Sequence, residues 1–343
     1  MSPARFGMAL AVSSAMFLSG VAGAAAQDVI RLKLAHQLPA THYLWEQGLK
    51  PLAEAVTAAT QGQVQFDVYP AGQLGKDYYV LLKGGIADIT MIVTSYAPDK
   101  FPLSSVTELP GIYSTACEAT GKFWELAKPG GPLNEGEYAP LGLHVLFVST
   151  LPSYRFSTAT KKVTRLEDAG GLKIWANGAA MDKTIRSLGA VPIRMTAAEL
   201  LDSVTRGTID GAFFPYSSLS QYRLESRIGH VVEGVQLGSG SLVVAMSAKG
   251  WNGLPEKVRD SMMVASSRVQ RELCAWMDGE QDGVRQRLVK ENGLTVTTLT
   301  DEQAALWKER VDGVAAAWAQ EMDKLGRNGT ALLQAFRAAA PGP

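Results

Sequence analysis

Four histidines, His36, His42, His144 and His230, are spread along the 343 residues. None stands at the His-x-x-x-His or mixed Cys/His spacings that a zinc site needs. There is no Gly-x-Ser-x-Gly elbow to present a nucleophile. No acidic pair stands out as a glycosidase or protease dyad. Gly84-Gly85, Gly130-Gly131 and Gly238-Ser239-Gly240 lack both the Walker spacing and the dinucleotide fingerprint, so they read as turns. The expectation is a chain that holds a molecule without converting it and uses no metal or cofactor. His42, in Ala40-Thr41-His42-Tyr43, sits at a loop-to-helix start. It is a polar pocket group on one reading and a surface residue on the other. Cys117 and Cys274 are far apart and outside any Cys-x-x-Cys pair. They form one disulfide in an oxidising compartment or serve as two small buried hydrophobes.

The elements that position such groups alternate between strand and helix. Ile30–Ala35 and Val64–Tyr69 have the period of strands, and Ala87–Val93 is a third. Helical spacing runs from Leu44 to Thr60 and from Asp77 to Lys83. The same grammar recurs in the strands His144–Val148, Leu172–Trp175, Val191–Ile193 and Ile209–Phe214. Between them lie a helix through Met181 to Leu188 and one opened by a Thr196/Glu199 capping box. Ser241–Ser247 is a strand able to cross back to the first unit. A long helical tract follows from Glu256 to Glu291, then a β-rich segment from Thr295 and a helix from Thr300 to Leu325. Strands separated by helices imply a largely parallel sheet with helices on its faces and ligands at the carboxyl ends of the strands.

Lys+Arg and Asp+Glu are balanced at 33 each, which argues against a nucleic-acid partner. The start reads as a secretory signal: Arg5, an apolar run from Met8 to Val21, and Ala24-Ala25-Ala26 before Gln27. The remaining length suits two domains. The expected division is a signal peptide over 1–26, lobe I over 27–152 plus about 241–280, lobe II over 153–240 plus about 281–330, and a tail over 331–343.

Short words then accumulate in order. They are Tyr69-Pro70-Ala71-Gly72-Gln73-Leu74-Gly75, Gly85-Ile86-Ala87-Asp88-Ile89, Leu109-Pro110-Gly111, Gly171-Leu172-Lys173-Ile174, Ile209-Asp210-Gly211 and Leu254-Pro255-Glu256-Lys257-Val258. The set resembles the solute-binding subunits of tripartite ATP-independent periplasmic (TRAP) transporters, the DctP family. The resemblance implies an α/β, two-lobe periplasmic-binding-protein-like fold, each lobe a mixed sheet flanked by helices, with a long helix spanning both. It also implies a monomeric periplasmic receptor that closes on a small organic solute and delivers it to small and large integral membrane subunits.

The family's principal carboxylate-gripping arginine falls on Trp175, and a second arginine position is kept as Arg155. The family's polar residue after the Asp-Gly loop falls on Phe214, with Tyr216 beyond it. Gln37, Thr94, Ser95, Tyr96 and Asn177 come by the same comparison to strand ends facing the cleft, with His42 nearby. Trp175 in place of arginine implies an atypical ligand: an aromatic or apolar monocarboxylate held by Arg155, a neutral polar metabolite, or a small amine. The amine reading needs a carboxylate, for which Glu108 and Asp182 are candidates. A ligand sensor for a membrane signalling protein and a secreted α/β enzyme are the competing readings.

Overall fold

The computed structural model describes Met1 and residues 29–341; the expected signal sequence falls outside the described residues. Eleven strands occur among them: β1 Ile30–Ala35, β2 Val64–Tyr69, β3 Ile89–Val93, β4 Leu143–Thr150, β5 Arg155–Thr158, β6 Lys173–Ala176, β7 Val191–Arg194, β8 Gly211–Phe214, β9 His230–Glu233, β10 Ser241–Ser247 and β11 Thr295–Thr298. They form two mixed sheets with orders β2-β1-β3-β10-β4 and β11-β9-β5-β8-β6-β7. β1 pairs in parallel with β2 and β3, while β10 runs antiparallel between β3 and β4. β10 lies between residues of the second sheet in sequence, so the chain crosses back to complete the first lobe.

The helix Glu256–Asn292 runs unbroken through Gly279 and Gly283 and stops at Gly293, whose φ of 69° is the left-handed cap conformation. Val258, Met262, Val269 and Met277 on this helix enter the core of lobe I, whereas Val284 and Leu288 enter that of lobe II. One rigid rod therefore belongs to both lobes.

The helix Asp301–Lys324 divides in the same way. Trp307 and Val311 pack in lobe II, and Val314 to Met322 pack in lobe I. The sequence division assigned this whole segment to lobe II. The expected tail is also structured, since Gly329–Ala338 is a helix. Leu332, Leu333 and Phe336 share one face of it and are buried in the lobe I core.

Cys117 and Cys274 form a disulfide with Cα atoms 4.8 Å apart. It ties the helix Ala116–Ala127 to the long helix. Asp278, one turn beyond Cys274, accepts the backbone N–H groups of Ala116 and Cys117 at 2.8 and 2.9 Å. A carboxylate from a neighbouring helix thus satisfies donors that the helix start leaves open.

Candidate functional site

A cavity of about 60 Å³ lies between the two lobes, at the carboxyl ends of β1, β3, β6 and β8. That is where this architecture places ligands. Lobe I contributes Gln37, His42, Tyr43 and Tyr96, and lobe II contributes Tyr154, Trp175, Asn177, Phe214, Ser218 and Tyr222. Among the described residues, no arginine, lysine, aspartate or glutamate lines it.

Period-2 alternation builds the aromatic wall. Trp175 in β6 pairs with Ala212 in β8, and Phe214 lies two residues further along the same face. The small Ala212 leaves room between the larger rings. Trp175 and Phe214 meet edge to face at 4.9 Å. Phe214 also meets Tyr154 at 5.8 Å and Tyr222 at 5.4 Å. Phe213, pointing the other way, packs on Phe156 within the lobe. The Trp175 N–H is committed to the carbonyl of Met195 at 2.9 Å, so the indole offers the cavity only its apolar surface. It is 1% exposed and belongs at once to the lobe II core and to the cavity wall.

Of the residues singled out from sequence, Gln37, His42, Tyr96, Trp175, Asn177 and Phe214 come together around the cavity. Thr94 does not line it. Its hydroxyl lies 3.3 Å from that of Ser241, joining the ends of β3 and β10. Ser95 is buried behind the lining, beside Gly178. Tyr216 turns away and donates to Glu233 at 2.7 Å, where Arg285 also binds. Arg155 donates to the Ser153 carbonyl at 3.3 Å and is not part of the lining. Asp182 is paired with Arg194 at 2.6 Å.

Tyr43, Tyr154, Ser218 and Tyr222 were not singled out. Ser218 and Tyr222 stand one helical turn apart, on and just beyond the helix Tyr216–Gln221. That i, i+4 spacing was the available signal.

The lobes meet across the cavity. The Tyr96 hydroxyl of lobe I accepts the Ala197 N–H of lobe II at 3.2 Å. Gly178, which precedes the helix Ala179–Ser187, lies against Ser95 and Glu108 of lobe I.

Several polar atoms in and beside the cavity are buried without a partner: Gln37 Oε1, His42 Nε2, Asn177 Oδ1 and both carboxyl oxygens of Glu108. Such groups are costly to leave unpaired, which makes them candidates for contacts with a solute. Burial pushes His42 down to about 4, with His36 adding to the effect. Burial pushes Tyr43 up to about 12. The cavity is therefore lined by uncharged groups.

Glu108 is 1% exposed, and burial pushes it from 4.5 up to about 8 against a smaller opposing influence of the Ser95 hydroxyl. A carboxyl raised in this way contributes stability that is complete below pH 4.5 and is lost as the pH climbs to about 8. Glu108→Gln keeps the shape and removes the charge. The variant is expected to match the parent near about pH 4.5 and to exceed it by about 2–4 kcal/mol near about pH 9. Urea midpoints at the two pH values check this; parallel pH dependences would rule it out.

Residues 34–321 match the model of bacterial extracellular solute-binding protein family 7, DctP. The C4-dicarboxylate-binding periplasmic protein DctP of Rhodobacter capsulatus is 25% identical over 277 residues, covering 77% of this chain and 79% of that protein. A TRAP solute-binding protein from Rhodoferax ferrireducens, solved with copurified benzoate, superposes with a TM-score of 0.82 at 24% identity, covering 91% of this chain and 97% of the other. A TRAP periplasmic solute-binding protein from Bordetella bronchiseptica, solved with (R)- and (S)-mandelate, gives 0.79 at 25% identity, covering 90% and 98%.

Proposed function

Because this chain belongs to family 7 of the bacterial extracellular solute-binding proteins, we propose that its solute is a small aromatic monocarboxylate. The chain captures that acid in the periplasm and hands it to the membrane subunits of a TRAP importer. The observation that carries the choice is the wall made by Tyr154, Trp175, Phe214 and Tyr222. It is apolar, flat-sided and free of formal charge, and it suits a ring better than a chain bearing two carboxylates. The family resemblance puts Trp175 at the position of a carboxylate-gripping arginine, and the Trp175 N–H is already engaged. A second anionic group would find no cation to meet. The benzoate and mandelate bound to the Rhodoferax and Bordetella proteins belong to the same chemical class.

Isothermal titration with benzoate, 3-hydroxybenzoate, mandelate, succinate and benzylamine tests the reading. The aromatic acids are expected to bind and the others not to. Trp175→Arg is expected to raise succinate affinity by about 10- to 100-fold, the worth of one charge-assisted pair. Trp175→Phe, which keeps an apolar wall, controls for loss of folding. Tight succinate binding by the parent, unchanged in Trp175→Arg, would refute the assignment. A sensor role is separated by reconstitution, since transport by the paired membrane subunits must depend on this chain.

A further inference from the structure

An aromatic acid carries a negative charge into a cavity with no cation in its lining, and among the lining residues His42 is the one side chain that can become a cation. His42 is 2% exposed and lines the cavity. Its Nδ1 accepts the Leu44 N–H at 3.1 Å. In the neutral ring the hydrogen must therefore sit on Nε2, which makes Nε2 a donor. Nε2 is buried and has no partner. The ring is held by Tyr43 of its own lobe at 4.7 Å and by Tyr222 of the other lobe at 5.6 Å, edge-on. Its orientation is thus completed only where the lobes meet.

We propose that His42 receives the solute's carboxylate, donating from Nε2 and taking a proton from solvent as the acid enters, so that the cavity binds an ion pair of no net charge. This rests on the aromatic-acid reading above. One hydrogen ion leaves the buffer and joins Nδ1; the Leu44 N–H contact breaks in that step, a cost that the new ion pair must exceed. Burial opposes a charge on the ring and holds it neutral. A carboxylate within contact distance reverses that balance, since an opposite charge favours the protonated form.

The other titratable groups around His42 do not compete. His36, on the loop after β1, stacks on Trp45 at 4.9 Å and is itself held down to about 4 by burial. Its positive charge beside a protonated His42 would be unfavourable, so a single proton is expected. Tyr43, Tyr96, Tyr154 and Tyr222 all have their ionisation pushed upward by burial and stay neutral. Glu108 lies behind Ser95 and is also kept neutral by burial. Among the described residues, the lining holds no fixed charge that could take the role.

Benzoate titrations in buffers of differing ionisation enthalpy read the proton directly. The parent is expected to take up close to one proton per benzoate near neutral pH, and its affinity is expected to fall up to about tenfold per pH unit on the alkaline side. His42→Gln retains a donor but cannot ionise. It is expected to bind about 3- to 30-fold more weakly, with no proton uptake and no pH slope. His36→Gln is expected to keep the uptake, and its thermal midpoint, with that of His42→Gln, confirms folding. Benzoate binding with no buffer-dependent heat, or an unchanged slope in His42→Gln, overturns the role of His42 and leaves the aromatic-acid reading intact. Failure of benzoate, 3-hydroxybenzoate and mandelate all to bind overturns both.

Discussion

Gly178→Val is expected to weaken solute binding by about 100-fold while leaving the protein folded. Gly178 has φ −171° and ψ −178°, extended backbone that any residue adopts, so the glycine is not there for conformational freedom. It is there for space. A Cβ at this position would lie 2.7 Å from the Ser95 Cβ and 3.4 Å from Glu108 Oε2. Both neighbours belong to lobe I and Gly178 to lobe II, so the collision arises only when the lobes meet. Crowding of this kind costs about 1–3 kcal/mol and falls wholly on the closed state. A solute that contacts both lobes binds tightly only in that state, so its apparent affinity drops with the closed population. Titration with any solute that the parent binds measures the loss. Small-angle scattering should show a wider particle at saturating solute, and an unchanged urea midpoint confirms that the lobes themselves are intact. Parent-like affinity in Gly178→Val would mean that closure across this contact is not needed for capture.

The second large effect concerns the Cys117–Cys274 bridge. The two residues are 157 apart in sequence, so the bond removes a large closed loop from the freedom of the unfolded chain. The chain-entropy relation gives about 5 kcal/mol for a loop of this size. Cys117→Ser combined with Cys274→Ser is expected to lower the urea midpoint by about 1–2 M. A reductant should bring the parent down to the same midpoint and leave the double variant unmoved. Equal midpoints for oxidised parent and variant would show that the bridge contributes nothing. Asp278 remains to hold the start of the helix Ala116–Ala127 through Ala116 and Cys117. The variant should therefore unfold more easily without losing the packing of that helix in the native state.

The elements were largely legible because each has a local cause. Alternation in Ile30–Ala35 and Val64–Tyr69 matches β1 and β2. The Thr196/Glu199 box is present as a reciprocal pair of contacts. Thr300 caps the helix that it was expected to open. The short strands β5 and β9 and the helix Gly329–Ala338 escaped. The last helix owes its order to a core supplied by distant segments. The site was legible in part. Gln37, Tyr96, Asn177 and Phe214 came by the family resemblance, and their place at the cavity agrees with parallel strands ending on one side of their sheet. Tyr43, Tyr154 and Tyr222 reach the cavity from a helix start, a crossing segment and a helix end, and no local pattern ties them to one another.

The sequence alone determined the alternation of strands and helices, because short-range periodicity, capping and turn residues act within a few positions of one another, and its ordered words carried the resemblance to the solute-binding family. Only the tertiary structure decided which side chains line the cavity between the lobes. It engaged Tyr216 with Glu233, kept Arg155 out of the lining with its Nε buried and unpartnered, joined Cys117 to Cys274, committed the Trp175 N–H to Met195 and left His42 Nε2 without a partner. Those outcomes depend on contacts between segments far apart in the chain, and spacing along a sequence carries no record of them until the lobes pack.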